Sequence, residues 1–213
     1  MTRGRSGIRF FDEAEERTPR DRERGRENRV RVFEDMVRSA ESRRLTPEDV
    51  ARWHRTLFEG LSFVPDPCYL GGYRGSGHPW LVDYAVVVAM HDGVPPRLVA
   101  QQVGMMLLTL GARVTDLART IVPTQRKSAG EVERVVELAA WAHGEWVRIH
   151  PFANGNGRVA RLLANYVLVR FRLPPAVRLK PRPGPAYETA ARASMRGDHS
   201  RMKRWLVDLL RGP

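Results

Sequence analysis

The stretch His150-Pro151-Phe152-Ala153-Asn154-Gly155-Asn156-Gly157-Arg158-Val159-Ala160-Arg161 decides the reading of this chain. It sets one imidazole, a run of small and polar turn residues and two guanidinium groups close together. Gly155 and Gly157 let the backbone turn tightly and expose its N–H groups. Apolar residues resume at Val159 and continue through Ala160, Leu162, Leu163, Ala164, Val167, Leu168 and Val169, which predicts a helix starting near Asn156. The first N–H groups of that helix have no intrahelical acceptor and face the turn. A glycine turn leading into a helix N-terminus is a ready anion site. Arg158 and Arg161, three apart, reach the same side of the first helical turn. His150 stands at the other lip, placed to take a proton from a hydroxyl attacking a bound phosphate. The chemistry suggested is phosphoryl or nucleotidyl transfer.

Working outward, a helix from Ser128 carries Val132, Val135, Val136, Ala139, Ala142, Trp146 and Ile149 on one face and delivers the chain to His150. The helix after the motif is apolar nearly all round, as expected of the buried central helix of a bundle. Pro174-Pro175 stops it, and a proline-rich loop from Pro181 to Pro185 leads to two closing helices split near Gly197-Asp198. On the other side, Pro95-Pro96 opens a helix bearing Leu98, Val99, Val103, Met106, Leu107 and Leu110, with Gly111 read as its cap. Trp80 to Met90 is rich in β-branched and aromatic residues and reads as a short strand pair, with His91-Asp92-Gly93 turning the chain. Residues 61–79 form a connecting loop that contains Gly71-Gly72-Tyr73-Arg74.

Thr46-Pro47-Glu48-Asp49 is a helix start, with a cap, a proline in the first turn and two acids. Val50, Trp53, Leu57 and Phe58 form its buried stripe, and Gly60 ends it. From Glu27 to Arg44, Val30, Phe33, Val37 and Ala40 recur at helical spacing. Glu13 to Arg26 is too charged to bury much and reads as disordered or as a solvated helix. The expectation is a mainly α bundle with one small β element, divided into a charged segment over 1–44 and one domain over 45–213.

Composition narrows the function classes. Apolar residues make up 42% of the 213, ordinary for a soluble globular protein. No apolar run approaches the roughly 18 residues of a membrane span, and Met1 to Phe10 lacks the apolar core of a secretory signal. Cys68 stands alone, so no internal disulfide forms, a reducing cytoplasm fits and a passive thiol is the preferred reading. The net charge of +12 is concentrated at one end, where residues 148–213 carry 14 basic against 3 acidic side chains. A solvated basic face is preferred over a nucleic-acid surface, because no aromatic platform is interleaved with the charges. His143 and His150 lie seven apart on one helical face, but no carboxylate or thiol completes a zinc set there.

The motif resembles the signature of the Fic family, His-Pro-Phe-x-Asp/Glu-Gly-Asn-Gly-Arg-x-x-Arg, without a gap, and the order of elements over about 45–213 is similar to the Fic fold. That resemblance implies a helical bundle with a β-hairpin flap at Trp80 to Met90, along which a target protein's backbone aligns. It implies transfer of AMP from ATP to a Ser, Thr or Tyr hydroxyl of that target. His150 is then the general base, and Gly155, Asn156 and Gly157 form the phosphate cradle, with the Asn156 amide as an added donor. Arg158 and Arg161 neutralise the leaving pyrophosphate, while Phe152 anchors the loop against the core.

One position departs from the family pattern. Asn154 stands where an acidic residue usually holds magnesium, so Mg2+ is expected but with a weaker ligand. Three alternatives stay open: another nucleotide or phosphocholine donor, a Doc-like kinase, or an inactive binding module. The Doc-like subgroup usually carries Lys where this chain has Gly157. Many Fic proteins also carry an inhibitory helix, Ser/Thr-x-x-x-Glu-Gly/Asn, whose glutamate pairs with the second arginine of the motif. Glu23-Arg24-Gly25-Arg26-Glu27-Asn28 ends in that way but begins with Glu. Glu27 is therefore the inhibitory candidate beside the plain reading of a solvated face, and a separate antitoxin is the other route to restraint.

Overall fold

The computed structural model describes residue 16 and residues 18–42, 44–88, 90–122 and 125–211; what the sequence suggests for the first fifteen residues lies outside them. The mainly α architecture expected from the sequence is what the structure shows. The helices are α1 (Pro19–Ser42), α2 (Pro47–Phe58), α3 (Pro96–Ala118), α4 (Ala129–Ile149), α5 (Asn156–Arg170), α6 (Pro185–Ser194) and α7 (Ser200–Arg211). A two-stranded antiparallel hairpin, β1 (Val87–Val88) and β2 (His91–Asp92), precedes α3, paired Val87 to Asp92 and Val88 to His91. The centre is the α4–α5 pair: α3 and α7 pack on α4, and α1 packs on α2 and α5.

Local chemistry explains the boundaries that frame the site. Ser128 Oγ accepts the Glu131 N–H while the Glu131 carboxylate accepts the Ser128 N–H, a reciprocal cap that starts α4. Thr46 and Asp49 do the same for α2. Along α5, Val159, Ala160, Leu162, Leu163, Ala164, Val167 and Leu168 are all fully buried. At about 1.5–3 kcal/mol for each large apolar side chain removed from water, this helix anchors the core, and its N-terminus is held rigidly where the motif needs it.

From residue 19 onward the charged N-terminal stretch is the solvated helix of its two readings: it is part of α1, with residues 19, 20, 22–24, 26 and 27 exposed and a buried face of Asp21, Gly25, Asn28, Val32, Met36, Ser39 and Ala40. Four expectations are corrected. Val30 is 55% exposed. The face is rotated because polar side chains on it have structural partners: Asp21 accepts the Ser62 N–H and hydroxyl, and Asn28 Nδ2 donates to the Glu59 carbonyl at 2.9 Å. Gly111 does not cap α3 but sits inside it, where a Cβ would come within 3.2 Å of Arg44 Cδ. The hairpin lies at 87–92 rather than 80–90. Residues 81–83 form a turn, and His91 and Asp92 are a strand instead of the turn. Ala89 lies outside the described residues.

Candidate active site

α4 ends on His150, whose left-handed backbone (φ 53°, ψ 56°) swings the chain into the motif loop. A non-glycine residue needs support to hold that conformation, and Arg74 supplies it. The Arg74 guanidinium is 1% exposed and donates to the carbonyls of His150 at 2.7 Å, Ile149 at 3.1 Å, Tyr84 at 2.8 Å and Val94 at 2.9 Å. Its backbone N–H donates to the Pro151 carbonyl. One side chain thus ties the end of α4 to the segments on either side of the hairpin. All four of these acceptors are neutral carbonyls, and burial pushes its pKa down to about 10.

The His150 ring is oriented by its own helix. Nδ1 lies 3.1 Å from the Val147 carbonyl; a carbonyl only accepts, so Nδ1 carries the proton and Nε2 keeps its lone pair. Burial, and then the nearby Arg74 charge, push the imidazole pKa down to about 4. His150 is therefore neutral at physiological pH, the form a proton acceptor requires.

The loop that follows is braced from both sides. Phe152 is fully buried, stacked on His54 with ring centroids 3.8 Å apart and on Tyr73 at 4.9 Å. His54 accepts the Gly71 N–H at Nδ1, so its Nε2–H donates to the Asn154 carbonyl at 3.0 Å. Burial first, and the Arg158 charge with it, hold His54 down to about 3, hence neutral. Gly155 adopts φ 77°, and a Cβ there would sit 2.4 Å from the Phe58 ring; only glycine fits.

Asn156 is used differently from the expectation. Its Oδ1 accepts the Phe152 N–H at 3.0 Å and its Nδ2 donates to the Phe152 carbonyl at 2.8 Å. The side-chain amide closes the loop on itself. The N–H groups of Asn156 and Gly157, in the first turn of α5 and without an intrahelical acceptor, are the candidate donors for a phosphate cradle.

The two motif arginines occupy distinct places. Arg158 is half-buried, its guanidinium 4.9 Å from the Phe58 ring centroid. Arg161 is 4% exposed; Nη1 donates to the Tyr187 hydroxyl at 3.1 Å and Nη2 to the Leu179 carbonyl at 2.8 Å, while Nε has no partner. Buried guanidinium groups are ordinarily matched by a carboxylate. Among the described residues Arg161 has none, and its Nη1 lies 3.4 Å from where a Gly157 Cβ would stand. Tyr187 also meets His143, whose Nε2 is 2.9 Å from the hydroxyl, so His143 belongs to this cluster and not to a zinc pair with His150.

Asn154 fits a resident dication poorly. Residues 150–161 contain no carboxylate, and Asn154 Oδ1 already accepts the Gly155 N–H. Glu27 is not brought to Arg161. It lies on the exposed side of α1, paired with Arg24 at 3.2 Å, because the next residue, Asn28, takes the inward position to cap the end of α2.

The sequence model of the Fic/DOC family matches residues 44–168, and the chain belongs to that family. Protein adenylyltransferase fic-1 of Caenorhabditis briggsae is 28% identical over 153 residues, 72% of this chain and 25% of that protein. Protein adenylyltransferase Fic of Nematostella vectensis is 49% identical over 47 residues, 22% of this chain and 11% of that protein. The chain therefore spans a quarter or less of the length of these relatives. In three dimensions it is similar to a Fic-domain-containing signalling protein from Bacteroides thetaiotaomicron, with a TM-score of 0.59 at 21% identity over 88% of this chain and 69% of that one. It is also similar to residues 134–508 of Caenorhabditis elegans Fic-1, with a TM-score of 0.53 at 22% identity over 91% of this chain and 48% of that one. These likenesses concern the fold. Among the described residues, no helix is long and apolar enough to cross a membrane.

Arg74, Tyr187, His54 and Tyr73 are the site residues that sequence reasoning missed. Arg74 and Tyr73 were visible only as members of a loop. Tyr187 lies 26 residues beyond Arg161 with no local pattern joining the two.

Proposed function

We propose that this protein is a nucleotidyltransferase that moves AMP from ATP to a hydroxyl of a target protein. The observation that carries this reading is the buried Arg161 guanidinium without a carboxylate, its Nε unpartnered, beside the open N-terminus of α5. That arrangement is complementary to a polyphosphate. The target hydroxyl attacks the α-phosphorus, its proton passes to His150 Nε2, and the bond to the bridging oxygen breaks to release pyrophosphate. The Asn156 and Gly157 N–H groups face the phosphate oxygens, and Arg158 and Arg161 take up the charge of the leaving group. No step is assigned to magnesium. A cation arriving with the nucleotide would take its oxygens chiefly from the phosphates, since Asn154 brings no charge.

The target is proposed to lie along the hairpin at 87–92, whose tip residue Met90 is 94% exposed. The compartment proposed is the cytoplasm. Gly157 favours this reading over phosphorylation, because the Doc-like subgroup usually carries Lys at this position. ATP labelled on either the α- or the γ-phosphate, incubated with the protein and a cell lysate, tests the reading. Protein-bound α-label is expected; γ-label alone would show phosphoryl transfer, and neither label would show a binding module.

A further inference from the structure

We propose that Asp66, Cys68 and His78 form a transition-metal site, suited to zinc, that staples the loop bracing the motif. A carboxylate oxygen, the thiol sulfur and an imidazole nitrogen of these residues all lie within 4.8 Å of one another. In a tetrahedral zinc site with bonds of about 2.0–2.3 Å, ligand atoms stand roughly 3.3–3.8 Å apart, so each pair closes by no more than about 1.5 Å. The donor set selects the ion: sulfur with nitrogen and one oxygen suits zinc and its late-transition neighbours and disfavours magnesium or calcium.

The local fold builds this cluster within one short loop segment. Asp66 precedes the 3-10 turn Pro67–Tyr69 and accepts the Cys68 N–H at 2.8 Å, which holds its carboxylate beside Cys68. The chain then reverses through Gly71 and Gly75, at φ 82° and 81°, and returns His78. Gly72 permits the return, since a Cβ there would come within 2.1 Å of the Cys68 carbonyl oxygen. All three side chains are half-buried, shielded from bulk water yet reachable by an ion. A water completes four-coordination. The thiol proton leaves to solvent as the sulfur–metal bond forms.

The position gives the site a consequence. Asp66 and His78 bracket the segment that holds Tyr73, stacked on Phe152, and Arg74, which grips the carbonyls of Ile149 and His150. A metal joining the two ends of that segment reduces its freedom in the unfolded chain and supports the brace in the folded one. The proposal rests on these three residues alone and stands or falls independently of the transfer reaction.

The test uses the full chain without an affinity tag, stripped with a chelator and titrated with Zn2+ or Co2+ alone. The expected result is one ion per chain, with a thiolate-to-cobalt charge-transfer band for the Co2+ form and a zinc-dependent rise in Tm. Cys68→Ser and His78→Gln, checked for folding by far-ultraviolet circular dichroism, should each weaken zinc binding at least ~100-fold, beyond what loss of a supporting hydrogen bond causes. Absence of saturable binding at micromolar zinc overturns the proposal. So does binding without a cobalt–thiolate band, which is read on the unaltered protein and needs no variant. Wild-type affinity in a folded Cys68→Ser protein overturns it as well.

Discussion

Replacing Asn156 separates the two roles an asparagine at this position can have. The side chain is 2% exposed, and both ends of its amide are engaged by the backbone of Phe152, at 3.0 and 2.8 Å. Asn156→Ala leaves the Phe152 N–H and carbonyl without partners in a fully buried setting. Each such group costs about 1–3 kcal/mol, so stability should fall by ~2–6 kcal/mol, less whatever an entering water restores. Asn156→Asp keeps an acceptor for the Phe152 N–H but sets a carboxylate oxygen against the Phe152 carbonyl, and should lie at the upper end of that range. Urea unfolding at neutral pH reads the loss as a shift in midpoint at unchanged slope. ATP binding, measured by calorimetry well below the unfolding transition, should weaken only through the loosened loop. An Asn156→Ala protein that unfolds at the wild-type midpoint yet no longer binds ATP would refute the reasoning, because the amide would then serve the ligand and not the loop.

The other expectations concern charge and burial. His54 and His143 are buried and His150 half-buried, all three neutral, with pKa values down to about 3, 3 and 4. Their contribution is fully present above pH 6.5 and is lost progressively as pH falls toward about 3, because the unfolded chain takes up protons that the folded one refuses. Each can remove up to ~1.4 kcal/mol per pH unit, so urea midpoints should drop steeply from pH 6.5 to 5, and a flat profile would contradict the buried neutral state. Arg74→Met leaves four carbonyls without their donor and should cost at least ~3 kcal/mol, read by thermal or urea unfolding; a loss under 1 kcal/mol would mean that the brace is dispensable. Asn154→Asp adds a negative charge at the motif's metal position while keeping an acceptor for the Gly155 N–H, so half-maximal transfer should need less magnesium. Superimposable magnesium titrations of the two proteins would place residue 154 away from any cation.

What the sequence made legible were features written in neighbouring residues. The start of α5 at Asn156 follows from Gly155 and the apolar run behind it, and the start of α2 from Thr46, Pro47 and Asp49. The start of α4 follows from Ser128. The features it hid depend on partners far along the chain. Arg74 has meaning only through carbonyls at 84, 94, 149 and 150, and none of these announces an acceptor. Asp21 reads as solvated because a polar residue on a helix looks the same whether it faces water or, as here, the Ser62 N–H and hydroxyl of a neighbouring loop. Gly111 resembles a cap by residue type, while its reason for being glycine is the Arg44 side chain lying against it. The Asn156 amide shows the same: residue type names a donor, and only the fold says that it donates to the Phe152 carbonyl.

The central claim is that the His150 Nε2 lone pair accepts the proton of the attacking hydroxyl. The most direct measurement compares α-labelled AMP transfer from ATP to lysate proteins by wild type and His150→Ala, with ATP binding to each followed by calorimetry. The account predicts a rate loss on the order of a hundredfold or more with ATP affinity nearly unchanged, because the phosphate contacts come from the loop and the arginines. A loss of only two- or threefold, at equal ATP affinity, would contradict it.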